Sequence, residues 1–102
     1  MVKIALFCAA GMSTSMLVEK MRNTANQKGI EAEINAYPES ELEQRVKDID
    51  VALLGPQVRF MLTKAKGICE PAGVPVEVIN TMDYGMMKGD KVLEDAIKLI
   101  KK

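Results

Sequence analysis

Four short apolar runs alternate along the chain with segments of helical period. Val2-Lys3-Ile4-Ala5-Leu6-Phe7 is almost wholly apolar, as in a central strand covered on both faces. From Met16 to Gln27 the period lengthens. Leu17, Val18, Met21 and Ala25 form one stripe, while Glu19, Lys20, Arg22, Asn23 and Asn26 form the wet face. This helix is predicted to start near Ser13 or Thr14, both good N-caps, and to stop at Gly29. Between Glu31 and Tyr37 the pattern alternates strictly, with Ala32, Ile34 and Ala36 opposed to Glu31, Glu33 and Asn35, which marks an edge strand.

Pro38 closes that strand, and the Ser40/Glu43 spacing predicts a capping box on a short helix bearing Leu42 and Val46. Val51-Ala52-Leu53-Leu54 is short and apolar, hence a central strand, and it stops at Gly55-Pro56-Gln57. The third helix presents Val58, Met61, Leu62, Ala65, Ile68 and Cys69 and ends before Pro71 and Gly73. Val76 to Ile79 suits the opposite edge. Thr81 to Gly89 reads as a loop with one helical turn at most. Asp90 is expected to cap the last helix, with its stripe at Val92, Leu93, Ala96, Ile97 and Ile100, and Lys98, Lys101 and Lys102 at its cation-favouring end. Strands alternating with helices imply an α/β fold with a four-stranded parallel sheet, order 2-1-3-4, and helices on both faces. A ligand then belongs beyond the carboxyl ends of the strands, where the first and third diverge.

That position is taken by Cys8-Ala9-Ala10-Gly11-Met12-Ser13-Thr14-Ser15. The turn is built of small residues and opens a helix, so unpaired amides and the positive end of the helix dipole converge on one spot. An anion fits there, and so does a nucleophilic sulfur. Cys8 is the candidate nucleophile, with Ala9, Ala10, Gly11, Met12, Ser13, Thr14 and Ser15 as the candidate phosphate-binding residues. The competing reading makes Cys8 a buried strand-end cysteine, Gly11 a turn former and the three hydroxyls N-caps. Cys69, on a core stripe, reads as packing. Gln57, Asp83 and Tyr84 reach the same rim without an assignable role. Met12, Phe60, Met86 and Met87 are candidates for an apolar docking collar.

Composition narrows the chemistry. A chain of 102 residues is expected to form one domain. Fourteen basic and fourteen acidic residues cancel, which argues against a nucleic-acid partner. No apolar run approaches the roughly 20 residues that span a bilayer, and the chain starts on a strand pattern, so a cytoplasmic protein is expected. The two cysteines form no CxxC pair, which fits a reducing compartment. There is no histidine, so Cys-His and Ser-His dyads, ordinary zinc sites and an internal phosphohistidine are excluded. No metal or cofactor is expected.

On Leu6-Phe7-Cys8-Ala9-Ala10-Gly11-Met12-Ser13-Thr14-Ser15, Leu53-Leu54-Gly55-Pro56-Gln57, Pro75-Val76-Glu77-Val78-Ile79 and Tyr84-Gly85, the sequence resembles the IIB component of the lactose/cellobiose class of the bacterial sugar phosphotransferase system. The resemblance implies a flavodoxin-like fold, a phosphocysteine at Cys8, a phosphohistidine donor on a IIA protein and a sugar acceptor held by a membrane IIC permease. Cellobiose, chitobiose, lichenan fragments and lactose are all compatible with this class, a freestanding chain leans away from lactose towards the other β-linked sugars, and a monomer is expected. The chain is similar too to low-molecular-weight tyrosine phosphatases, whose loop reads Cys-x5-Arg-Ser. Here Thr14 stands at the arginine position, before Ser15, which leaves amides and hydroxyls to stabilise charge. Asp83 falls near the general acid of those enzymes. A flavodoxin-like binding domain without covalent chemistry is the third reading.

Overall fold

The structure is a computed structural model that describes residues 1–9 and 11–100, with the side chains of residues 11–13 outside the description. Four parallel strands, β1 (Val2–Cys8), β2 (Ala32–Pro38), β3 (Val51–Leu54) and β4 (Val76–Val78), lie in the order β2-β1-β3-β4. β1 pairs with β2 from Val2↔Ala32 to Cys8↔Pro38 and with β3 from Ile4↔Val51 to Phe7↔Leu54. The apolar strands are thus central and the alternating one is an edge, as their patterns require.

Alternation along β1 and β3 feeds two cores. Ile4, Leu6, Val51 and Leu53 pack with Leu17, Val18 and Met21 of α1 (Gly11–Lys28), Tyr84 of α4 (Thr81–Gly85) and Val92, Leu93 and Ala96 of α5 (Gly89–Ile100). Ala5, Phe7, Ala52 and Leu54 pack on the other face with Leu42 of α2 (Leu42–Arg45) and with Ala65 and Cys69 of α3 (Leu62–Cys69). Among the described residues no helix is long and apolar enough to cross a membrane.

Local boundaries depart from the sequence pattern where side chains find tertiary partners. α1 begins at Gly11, ahead of the predicted cap, so Thr14 lies inside its first turn. At the other end the expected glycine stop is present. Gly29 has φ 69, and the Ile30 amide returns to the Ala25 carbonyl at 2.8 Å. The Ser40/Glu43 box does not form. Instead 3-10 turns at Glu39–Glu41 and Val46–Asp48 flank α2, and Glu41 pairs with Arg45, whose guanidinium stacks 4.2 Å from the Tyr37 ring. α3 is likewise entered through a 3-10 stretch, Pro56–Met61. The predicted loop after β4 holds a true helical turn, α4, because the Asn80 carboxamide accepts from the Met82 and Asp83 amides. α5 starts at Gly89, one residue before the expected Asp90 cap, and Lys101 and Lys102 lie outside the described residues.

Candidate functional site

Side-chain alternation puts Cys8 on the same sheet face as Ile4 and Leu6, beneath the start of α1. α1 opens three residues further on, and the first amides of any α-helix lack carbonyl partners within it. The strand end and the helix start on either side of the Cys8 turn thus fall where the pattern placed them. The Cys8 thiol is fully buried, at 0% exposed, as the strand-end reading of this residue expects. Gly55 flanks it from β3. Its amide donates to the Phe7 carbonyl at 2.8 Å, and a Cβ there would stand 3.3 Å from Cys8 Cβ and 2.5 Å from Gln57 Oε1. The residue's φ of −63 suits any side chain, so glycine serves here for space.

A second feature joins three elements that leave the carboxyl ends of three strands. The Thr14 hydroxyl, 0% exposed, lies 3.1 Å from the Tyr84 hydroxyl, and Gln57 Nε2 donates to the same phenol oxygen at 2.9 Å. Asp83 turns elsewhere. It lines a groove of about 440 Å³ with Glu77, Asn80, Asp95 and Lys98. Its charge is felt at Lys91, whose ammonium is stabilised first by the hydrogen bond to Asp95.

A family model described as the lactose/cellobiose-specific IIB subunit of the PTS system matches residues 3–95. The chain belongs to this family. It is 48% identical over 102 residues to the galactose-specific EIIB component of Lactococcus lactis subsp. cremoris, with 95% of this chain and 94% of that one aligned. It is 40% identical over 100 residues to the oligo-beta-mannoside-specific EIIB component of Bacillus subtilis, at 98% and 97% coverage. The solution structure of a cellobiose-specific IIB component from Borrelia burgdorferi superposes with a TM-score of 0.82 at 47% identity, covering 98% of this chain and 92% of that one. A lactose-specific IIB domain from Streptococcus pneumoniae, 20% identical, reaches the same TM-score over 96% of both chains and extends the likeness in fold. IIB subunits are components of a phosphotransferase system and work with IIA and IIC partners.

The residues singled out from the IIB sequence fall unevenly around this site. Cys8 ends β1, Ala9 is exposed beside it and Ser15 is exposed on α1, whereas Ala10 and the side chains of Gly11, Met12 and Ser13 lie outside the described residues. Thr14 is no N-cap: it lies inside the helix and its hydroxyl is paired with that of Tyr84. Tyr84, which reads as loop-forming from sequence, is the hub that pattern reasoning missed. One signal was present, since Thr14 continues the Leu17, Val18, Met21 stripe by one turn and so had to face inward. Of the collar, Phe60 and Met86 are exposed, joined by Met16 and Met82, but Met87 packs against the core at a left-handed φ of 54. The Cys69 thiol is pushed up by burial and by the neighbouring Glu70 charge, which makes it an inert packing group, as its stripe position implied.

Proposed function

We propose that this IIB subunit is a cytoplasmic phosphoryl carrier that works through Cys8. The observation that carries the reading is the position of Cys8, at the carboxyl end of a central strand and just before the N-terminus of α1, the kind of helix end that attracts an anion. The Cys8 thiolate attacks the phosphorus of a phosphohistidine on the IIA partner. An S–P bond forms as the P–N bond breaks, and the electron pair returns to the imidazole, which takes up a proton. Amides from Ala10 to Ser15 collect the phosphoryl oxygens, with Ala9 completing the turn. In the second half a sugar hydroxyl held by IIC attacks phosphorus and gives up its proton to a base or to solvent; an O–P bond forms as the S–P bond breaks, and the sulfur leaves as thiolate.

Such chemistry is mainly positioning and charge stabilisation, so the chain has no need of a sugar pocket of its own. Because Cys8 is buried, docking of the partner must uncover it, and the same cover keeps water from the adduct. No arginine stands at position 14 to promote hydrolysis, and Asp83 faces the α5 groove, so the phosphatase reading loses both of its active groups. The relatives act, by name, on galactose, cellobiose and oligo-β-mannosides at similar identity. A β-linked disaccharide of the cellobiose, chitobiose or lichenan type is the acceptor we infer. Intact-mass analysis after mixing with phosphoenolpyruvate, the general phosphotransferase proteins and a cognate IIA tests this. One phosphoryl group should be gained by the wild type and none by Cys8→Ser. Rapid hydrolysis of p-nitrophenyl phosphate by the chain alone overturns it.

A further inference from the structure

We propose that Tyr84 is a positioning residue for phosphoryl transfer, orienting the Thr14 hydroxyl as a donor to the anion held beside Cys8. The inference rests on the carrier reading and adds to it a group outside the turn. A carboxamide nitrogen can only donate, so Gln57 Nε2 fixes the phenol oxygen of Tyr84 as acceptor at 2.9 Å. The phenol has one proton of its own, and Thr14 Oγ1 lies 3.1 Å away to receive it. The Thr14–Tyr84 bond can run in either direction, and the direction we infer has Tyr84 donating, so that Thr14 keeps its own proton to give. Thr14 is 0% exposed and belongs to the first turn of α1, which opens three residues after Cys8.

The arrangement has the marks of a set position. Gln57 leaves the end of β3, Tyr84 the end of β4 and Thr14 the end of β1, so three strand ends must be in register for the chain of bonds to close. Gly55 leaves open the space that Gln57 Oε1 occupies. Tyr84 itself is only 8% exposed, its ring packed in the core, and it is followed by the strained φ of Met87, so the backbone that aims the phenol is held on both sides. A hydroxyl whose rotor is fixed in advance stabilises charge without reorganising as the phosphoryl group arrives.

The test measures the rate of Cys8 phosphorylation by phosphorylated IIA, the phosphorus NMR shift of the adduct, and thermal melting. Tyr84→Phe and Gln57→Met break the chain of bonds without adding charge. Each is expected to slow transfer by about tenfold and to move the phosphorus resonance, with melting nearly unchanged. Thr14→Val should lose about 10²-fold, and Thr14→Ser should recover most of that loss. The decisive arm is the double variant Tyr84→Phe with Thr14→Val, which should be no slower than Thr14→Val alone, because both changes remove one donor. Wild-type transfer by Tyr84→Phe and Gln57→Met, additive losses in the double variant, or rate losses that follow melting each overturn the proposal while leaving the carrier reading intact. A wild-type chain that gains no phosphoryl group overturns both.

Discussion

Gly55 separates two reasons for which a chain keeps glycine. At Gly29 and Gly73 the backbone is left-handed, with φ of 69 and 74, and a side chain would be strained. At Gly55 the conformation is ordinary and the constraint is the neighbour, since a Cβ would meet Gln57 Oε1 at 2.5 Å and Cys8 Cβ at 3.3 Å. Gln57 is exposed and its far end can swing away, so Gly55→Ala should fold, with stability changed by less than about 1 kcal/mol. The displaced carboxamide loses Tyr84, however, and the Cys8 side chain is crowded. Phosphorylation by IIA should fall by about tenfold or more while the denaturation midpoint holds. Loss of folding in parallel with activity would mean that the site tolerates less movement than this contact pattern implies.

At the scale of elements, α1 and α5 come into close backbone contact at Gly89. A Cβ on this buried residue would sit 2.8 Å from the Lys20 carbonyl carbon and from the Met21 amide nitrogen, atoms of a backbone that cannot step aside. Gly89→Ala must separate the two helices over the core of Met21, Val92 and Leu93. Overpacking of this kind costs about 1–3 kcal/mol, which for a chain of this size is a fall in melting temperature of roughly 4–8 °C per kcal/mol. A calorimetric scan of the variant measures it. From sequence, Gly89 looked like the end of a loop, because close backbone approach leaves no mark in a hydrophobic pattern. The same distinction runs through the molecule. β1, β3 and the α1 stripe were legible because their stability comes from burying apolar side chains at a fixed period, and strand order followed from which strands were wholly apolar. α4 was legible only as a single turn within a loop, since five residues carry no period and their helical turn depends on the Asn80 side chain. Cys8 stands out as a candidate by its place before a helix, whereas the Gln57–Tyr84–Thr14 bonds join residues far apart in the chain that only the closed sheet brings together.

For the molecule as a whole, the two cysteines report on different depths of the same structure. Both are 0% exposed, so neither can be alkylated until something opens. Cys69 lies on α3 against Phe7, Leu54 and Val74, in the core on one face of the sheet, and exposing it means losing that core. Cys8 ends a strand at the rim, next to the exposed Ala9, where a smaller opening suffices. The proposed carrier role needs this difference, because a partner would have to reach the sulfur without unfolding the sheet. Local openings span free energies from near zero up to the global value, and an opening that exposes little surface responds weakly to denaturant. Labelling with iodoacetamide across sub-denaturing urea, read by peptide mass at each cysteine, should therefore give two slopes. Cys8 should react slowly but at a rate almost independent of urea, with protection of about 10–10³-fold, or about 1.4–4 kcal/mol of opening free energy. Cys69 should be protected further, and its rate should climb with urea along the global unfolding slope. Equal slopes at the two sites would mean that Cys8 is sealed by the entire fold, and uncovering it would then require more than the docking of a partner at the rim.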